Sequence, residues 1–309
     1  MKYRMNIRQL KHFLALAEHG SYARASESVH LSQPALSRSI QQLEQYLGAP
    51  LFERGRMGAM LSAYGQVSLP HIRGIVAAEE ALKQSIQCID GLESGELRIG
   101  GGPFPSFGLL DKVSAKFIDQ YPGISLYLCT NNWHDLHQSL LNREIELFVA
   151  DTKELVNDPM LKVINLPSLP GVFFCRHGHP LMQQDQIEWQ DLLAYPIALP
   201  RLPKYFELYL NALSKPHGGL RRRIECDNIA MLWSFVAGSN AISIAPELML
   251  QEKFAEGSMQ RLPVTGLGEI QTNFGVVHRS TEQLSPAAAA YLAFILAEVE
   301  PLMADSAGA

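Results

Sequence analysis

The chain has 309 residues, of which 47% are hydrophobic and 18% charged, a composition typical of a globular protein with two or three domains. No apolar run is long enough to span a membrane and the N-terminal segment lacks a signal-peptide core, so we expect a cytoplasmic protein with no membrane partner. Four cysteines lie at positions 88, 129, 175 and 226 without CxxC or CxxH spacing, which argues against a zinc site and a disulfide framework. We therefore expect no metal and no cofactor.

The formal net charge of −5 is unevenly distributed along the chain. Residues 1–65 contain eight Lys and Arg against four Glu, a net charge of +4. The remaining residues carry eighteen basic against twenty-seven acidic side chains, a net charge of −9. A basic N-terminal part on an acidic body concentrates attraction for phosphate at one end of the molecule. The imbalance is modest, so it supports a nucleic-acid partner only together with a motif.

Three helices are predicted in the first fifty residues. The first begins after the N-cap residue Asn6 and ends at Gly20, and the second begins after Ser21. The third begins after Ser32, whose hydroxyl can accept a backbone hydrogen bond, and ends at Gly48. Its apolar side chains recur at spacings of four, three and four, which predicts one buried stripe. That stripe comprises Leu36, Ile40, Leu43 and Leu47.

The opposite face of the third helix is rich in Gln and Ser and poor in Glu and Lys. Gln pairs bidentately with adenine, Arg binds guanine or phosphate, and Ser binds either partner. This face suits a helix that enters the major groove, within a helix-turn-helix from about Tyr22 to Gln41. On the helix pattern alone, a helical core subdomain without a partner remains an alternative. The candidate DNA-binding residues are Ser32, Gln33, Pro34, Ser37, Arg38, Arg54 and Arg56.

Several short motifs between residues 9 and 54 closely resemble the winged helix-turn-helix of LysR-type transcriptional regulators. They are Gln9-Leu10, Gly20-Ser21, the run Ser32–Ser37, Leu47-Gly48, Leu51-Phe52 and Arg54. The resemblance implies an α/β fold with a winged helix-turn-helix (5–62), a long linker helix (63–91) and a two-lobe effector domain of periplasmic-binding-protein type (95–309). It further implies a homodimer or homotetramer that binds an inverted-repeat promoter site in double-stranded DNA and senses a small molecule. Ser26 and Ser62 depart mildly from the family pattern.

A long amphipathic helix is predicted from Ser62 to Ile89, with Pro70 inside it. Such a helix has no core of its own, so its apolar stripe must pack on another element. The resemblance implies that this element is the same helix of a second subunit, while packing against its own body remains the alternative. The candidate dimerisation residues are Ile72, Val76, Leu82 and Ile86.

Strands and helices alternate from Glu96 onward, which predicts an open, largely parallel sheet followed by a second α/β unit. The first lobe is expected to comprise about residues 95–165 and 266–305, and the second about 166–265. Predicted strands are Leu97–Gly100, Ile124–Cys129, Ile145–Ala150, Gly171–Cys175, Ile197–Leu199, Arg223–Cys226, Ala241–Ile244 and Gln271–Val277. Predicted helices are Phe107–Gln120, Trp133–Leu141, Tyr205–Ala212, Ile229–Ala237, Pro246–Phe254 and Pro286–Leu302.

Ligands of such sheets bind beyond the carboxyl ends of the strands, here between the lobes. Arg201 is the cation among the strand-end residues, which favours a carboxylate effector, although its pairing with a surface acid remains equally open. Phe104 stands where the family often has a small hydroxyl residue, so the effector class stays undetermined. The candidate effector-binding residues are Pro103, Phe104, Ser106, Thr130, Asn131, Arg201 and Pro246.

No GxSxG motif or Ser/His/Asp cluster of recognisable spacing indicates an enzyme. The leading interpretation is a sequence-specific DNA-binding regulator that responds to a small-molecule effector. One alternative is a regulator gated by thiol oxidation, which would need reactive cysteines such as Cys175 and Cys226 close in space. Another is a solute-binding protein, which would leave the winged head unexplained.

Overall fold

The structure is a computed structural model that describes residues 5–55, 58–87, 94–219 and 223–306. Its contacts divide the chain into two compact units, Met1–Asp90 with Leu141–Glu144 and Gly91–Leu140 with Ile145–Ala309. The first is a winged helix-turn-helix followed by a long helix, and the second is built from helices and sheets in two lobes. The predicted α/β fold is confirmed.

The N-terminal unit packs three short helices against a hairpin and the start of a long helix. Asn6 is the N-cap residue as predicted and forms a capping box with Gln9, and Gly20 and Gly48 end their helices in the left-handed conformation. The elements are α1 (Ile7–His19), α2 (Tyr22–Ser28), α3 (Gln33–Leu47), β1 (Phe52–Gly55), β2 (Gly58–Leu61) and α4 (Ala63–Gln87). Their shared core comprises Leu10, Phe13, Leu16, Ala25, Leu36, Ile40, Leu43, Leu51, Ala59 and Ile72.

Two local predictions for α3 are wrong. Ser32 does occupy the N-cap position, but its hydroxyl makes no capping hydrogen bond. Leu47 is 43% exposed, because it lies in the last turn of α3, beyond Leu43, which is the last α3 residue of the shared core.

The start of α4 is held tightly against the hairpin. Ser62 caps it by accepting from the Gly65 N–H at 3.1 Å and donating to the Pro50 carbonyl at 2.6 Å. A Cβ at Gly65 would lie 2.2 Å from the Leu51 carbonyl oxygen, so only glycine fits there. Ile72, two turns further on, is 4% exposed and belongs to the core of this unit. Ile72 is therefore packed within its own subunit, and its predicted place in a dimer seam is wrong.

The first lobe contains a five-stranded sheet in the order β4-β3-β5-β14-β6, in which β14 alone runs in the direction opposite to the other four strands. The largely parallel sheet is thus as predicted. Its strands are β3 (Gly95–Gly101), β4 (Ile124–Thr130), β5 (Leu147–Asp151), β6 (Leu161–Asn165) and β14 (Phe274–Arg279). Its helices are α5 (Pro103–Pro105), α6 (Asp111–Gln120), α7 (Trp133–Leu141) and α12 (Pro286–Ser306), with a π-helical segment Ser106–Leu110 before α6.

The second lobe is less regular than the first. A sheet of order β11-β7-β12 is antiparallel, and β9 pairs in parallel with β10 and bridges to Ile242 just before β11. Its strands are β7 (Gly171–Arg176), β8 (Ile187–Glu188), β9 (Ile197–Leu199), β10 (Arg223–Glu225), β11 (Ser243–Pro246), β12 (Met259–Arg261) and β13 (Val264–Thr265). Its helices are α8 (Trp189–Leu192), α9 (Lys204–Ser214), α10 (Ile229–Gly238) and α11 (Gln251–Ala255).

The two lobes differ from their predicted elements at several places, and strands β8, β12 and β13 and helix α8 were not predicted. Strand β6 was not predicted, because its short run LKVIN carries Lys162 and an Asn at its end. The helix expected from Phe107 starts earlier, at Pro103, and passes through the π-helical segment. The helix expected from Pro246 is a short 3-10 turn, Glu247–Leu250, followed by α11.

No helix in the described part of the chain is both long enough and apolar enough to cross a membrane.

Candidate DNA-binding surface and effector cavity

Helix α3 is fixed to α1 by polar contacts on the face that points inward. Gln9 donates to Gln42 at 3.2 Å, and His12 Nδ1 lies 2.7 Å from the Ser39 hydroxyl. Burial, and secondarily the charge of Arg8, lowers the pKa of His12. These contacts add to the apolar stripe and determine which way the other face of α3 points.

The outward face of α3 exposes the predicted base-reading side chains. Gln33, Pro34 and Arg38 are exposed, as is Ser32 at the N-cap, while Ser37 is half-buried. Pro34 lies in the first turn, as predicted. The exposed set is therefore concentrated at the N-terminal end of α3, which is the part of a recognition helix that contacts base edges.

The wing is held at a fixed distance from α3. Glu44 near the end of α3 accepts from the backbone N–H groups of Leu51 and Phe52, at 2.7 and 3.3 Å. The Phe52 ring packs on Phe13, with centroids 5.2 Å apart. Arg54 lies in β1 opposite Ala59, but its side chain and the whole of Arg56 lie outside the described part of the structure.

Helix α4 has an apolar stripe on the side away from the core that contains Ile72. Val67, Ile75 and Leu82 on this stripe are 69%, 41% and 62% exposed. Ile75 and Leu82 are seven residues apart, which places them on one face of the helix two turns apart. Val76 is half-buried against the core of the N-terminal unit, and the Ile86 side chain lies outside the described part.

A cavity of about 100 Å³ lies between the two lobes of the body. Both lobes contribute to its wall, the first through Phe104 and Phe274 and the second through α9 and β11. Of the predicted effector-binding residues, Phe104 and Pro246 line it. Its full lining is Phe104, Asp151, Gly171, Leu202, Pro203, Tyr205, Phe206, Ile244, Ala245, Pro246, Ile270, Gln271, Thr272 and Phe274.

A group of polar residues joins the lobes beside this cavity, and we call it the Tyr205 clasp. The Tyr205 hydroxyl, from the second lobe, donates to the Asp151 carboxylate at 2.7 Å. Asn273 donates to the same hydroxyl at 3.0 Å, and the Lys153 ammonium lies 4.1 Å from the centre of the Tyr205 ring. Burial raises the pKa of Asp151, and burial together with the Asp151 carboxylate raises that of Tyr205. Sequence reasoning missed Tyr205, although its place in the first turn of a helix after strand β9 was a signal.

Four other predicted effector contacts lie near the strand ends but are not among the lining residues. Thr130 and Asn131 are exposed at the end of β4, and the half-buried Pro103 opens α5. The Ser106 hydroxyl points at the backbone of Gly101, where a Cβ would lie 2.2 Å from it.

Arg201, the proposed partner of a carboxylate effector, already has acidic neighbours. Its guanidinium lies 3.6 Å from Glu225 and 3.9 Å from Asp135, and its backbone N–H donates to Asp227 at 2.7 Å. The guanidinium is also absent from the cavity lining among the described residues. The structure therefore favours the alternative in which Arg201 pairs with surface acids. The expectation that the effector is a carboxylate is then no longer supported.

A second cavity, of about 410 Å³, lies elsewhere between the lobes. It is lined by residues of the segment 105–112, by the segment around Pro167 between β6 and β7, by Leu248 and Met249, and by the end of α12. Its charged lining residues are Asp111, Lys112, Glu252 and Glu298.

The described part of the chain shows no metal site, and Cys175 does not have the character of a reactive thiol. No group of three or more His, Cys, Asp or Glu side chains there could hold a metal ion. Cys175 is fully buried, and burial raises the pKa of its thiol to about 11, which disfavours the reactive thiolate. Cys88 lies outside the described residues.

Comparison with known proteins identifies both units. Residues 7–66 match the family described as bacterial regulatory helix-turn-helix protein, lysR family, and residues 90–300 match the LysR substrate binding domain. The chain is 43% identical over 296 residues to the SDS degradation transcriptional activation protein of Pseudomonas sp. strain ATCC 19151, covering 95% of this chain and 96% of that protein.

Solved structures share the fold over nearly the whole chain. A full-length OxyR variant from Pseudomonas aeruginosa superposes with a TM-score of 0.68 at 18% identity, covering 96% of this chain and 95% of that one. CbnR in complex with its target DNA superposes with a TM-score of 0.64 at 22% identity, covering 95% of this chain and 100% of that one. The chain belongs to the LysR family of bacterial regulators, and it is a DNA-binding transcriptional regulator with a small-molecule effector domain.

Proposed function

We propose that this protein controls genes for the breakdown of alkyl sulfates, in the cytoplasm and without catalysing a reaction itself. The relative that is 43% identical over 95% of the chain is named for activating SDS degradation, and this likeness carries the proposal. SDS is an alkyl sulfate, so the effector would be an alkyl sulfate or a compound derived from one.

Residues 5–62 would bind DNA, residues 63–91 would join two subunits, and residues 95–309 would bind the effector. Within the DNA-binding part, Gln33, Pro34, Ser37 and Arg38 would read bases, and Ser32, Arg54 and Arg56 would hold the phosphate backbone. The exposure of Gln33, Pro34 and Arg38 at the N-terminal end of α3 supports this assignment. A twofold-related pair of heads would protect an inverted repeat, with half-sites about one helical turn apart.

The assignment of base reading can be tested on α3 alone. Gln33→Ala should weaken binding to the natural operator by about 1–3 kcal/mol and reduce discrimination against altered sites, because it removes a bidentate contact to a base. The control is Gln45→Ala, which changes another exposed glutamine twelve residues further along the same helix. Both variants would be compared by footprinting and titration on genomic fragments at fixed salt.

Gln45→Ala should bind as the wild type does. If Gln33→Ala retains full affinity and full sequence preference, α3 does not read bases through this residue. Control of alkyl sulfate genes is a separate question, tested by expression of the target genes with and without an added alkyl sulfate in cells that carry or lack the protein.

A further inference from the structure

The cavity of about 100 Å³ is lined almost entirely by side-chain carbon. Phe104 and Phe274 of the first lobe face Leu202, Ile244 and other apolar residues of the second. Of its polar lining groups, the Tyr205 hydroxyl and the Asp151 carboxylate are hydrogen-bonded to each other. A ligand group inside this space would therefore gain mainly by removing apolar surface from water.

We propose that this cavity binds the hydrocarbon chain of an unbranched alkyl effector, with the polar end of the effector outside it. The proposal deepens the function given above and rests on it for the choice of probes. The size of the space favours a chain over a ring, because an apolar cavity known to bind benzene has a volume of about 150 Å³. At about 100 Å³ the space is smaller than that, so it accepts the end of an alkyl chain more readily than an aromatic ring.

The charge of the wall determines which end of the effector enters. Asp151 places a carboxylate in the lining, and no described lining residue is a cation that could pair with an incoming anion. A sulfate or carboxylate inside would be desolvated beside a like charge, which is costly. The apolar end of the molecule therefore enters, and the sulfate remains in water.

The length of the alkyl chain of the ligand is the variable that tests this inference directly. Isothermal titration of the full-length protein would use the unbranched alcohols from butan-1-ol to octan-1-ol and the matching alkyl sulfates, below the concentrations at which they form micelles. Affinity should rise about fourfold for each added methylene until the cavity is full and then level off. Alcohols and sulfates should show the same dependence on length, and benzoate should not bind in the cavity.

A pair of identical substitutions distinguishes the two cavities. Leu202→Trp would fill the small cavity, and Leu248→Trp would place the same side chain in the larger one. Leu202→Trp should weaken octan-1-ol binding at least tenfold, and Leu248→Trp should leave it unchanged. Ile270→Phe provides a second, milder filling of the small cavity if the tryptophan variant fails to fold, as judged by its thermal melt without ligand.

Three results would overturn the inference: affinity that does not depend on chain length, loss of binding in Leu248→Trp rather than Leu202→Trp, or binding of benzoate that Leu202→Trp abolishes. The proposed function fails separately. If the alcohols bind in the small cavity but alkyl sulfates do not change target-gene expression, the cavity assignment stands and the proposed control of alkyl sulfate genes is wrong. If alkyl sulfates change expression equally in wild type and Leu202→Trp, the target genes stand and the cavity assignment is wrong.

Discussion

Single polar residues inside the N-terminal unit determine how α3 is presented to DNA. Gln9, His12 and Glu44 each make a contact that fixes one end or one face of α3. None of the three was predicted to contact DNA, and none points outward with Gln33 and Arg38. Substitutions at these positions would therefore change DNA binding through the orientation of the helix rather than through a lost base contact.

His12 makes the stability of the N-terminal unit depend on pH. Its folded-state pKa lies below the ordinary 6.5, so below pH 6.5 the unfolded chain binds more protons than the folded one. The contribution of His12 to stability is therefore fully present above pH 6.5. It decreases as the pH drops toward the folded-state pKa, and it does not change further below that pKa. Denaturant unfolding between pH 7.5 and 5 should show a smaller loss of stability in His12→Gln than in the wild type.

His71→Gln, at an exposed position on α4, is the matched control and should follow the wild type. Operator binding by His12→Gln at pH 7.5 provides a check that α3 still has its native orientation. If His12→Gln and the wild type lose stability in parallel, protonation of other groups causes the loss.

At the scale of elements, α4 performs two structural tasks with two different faces. One face of α4, with Ile72, completes the core of the N-terminal unit. The other face exposes Val67, Ile75 and Leu82. A monomer that left these three side chains in water would carry a costly apolar stripe along the helix. The exposed stripe is the surface that a second α4 would cover.

Ile75→Asp with Leu82→Asp should convert the oligomer into monomers and lower operator affinity. Both substitutions would place unpaired charges in a seam between two helices, and a buried unpaired charge costs several kcal/mol. Light scattering coupled to size-exclusion chromatography would measure the mass, and titration of an inverted-repeat site would measure affinity. Gln66→Asp, about 180° around the helix from Ile75, is the control and should remain oligomeric. An oligomer that survives the double substitution would show that another surface joins the subunits.

Periodicity predicted which elements form, but it did not predict what each face contacts. The spacing of apolar residues identified α1, α3 and α4 to within a few residues. Periodicity could not show that Ile72 is buried and Ile75 exposed, because both fit a helical stripe. Only the fold shows that the N-terminal unit covers Ile72. The same limit applies to Leu47, since the apolar periodicity of α3 continues past Leu43, where its contribution to the core ends.

Fewer of the candidate effector-binding residues line the cavity between the lobes than were expected, for a related reason. The strand-end rule selected Phe104 and Pro246, and both line the cavity between the lobes. Arg201 was selected for its charge, but the charges that it meets come from Asp135 and Glu225, which are distant in sequence. Tyr205 and Asp151 acquire their roles only because the two lobes bring them together.

At the scale of the whole molecule, an effector can change DNA binding only if it favours one arrangement of the lobes over another. The cavity has walls from both lobes, so a ligand within it favours the arrangement in which they are close. The Tyr205 clasp favours the same arrangement through its hydrogen bonds to Asp151 and Asn273. The Tyr205 clasp and a bound ligand should therefore each make the other more favourable, because both stabilise the arrangement in which the lobes are close.

Tyr205→Phe tests this coupling, because it retains the ring in the cavity wall and removes the hydrogen bonds. Loss of a bond to a charged group costs about 1.5–3 kcal/mol, and the fraction of molecules with closed lobes should fall accordingly. The apparent affinity for octan-1-ol should fall by that fraction, and amide hydrogen exchange in residues 151–155 should be faster even without ligand. Tyr209→Phe is the control, because that ring stacks on Phe206 within the second lobe. Unchanged exchange in Tyr205→Phe would mean that other contacts hold the lobes together, whereas faster exchange with unchanged affinity would mean that the ligand does not bind between them.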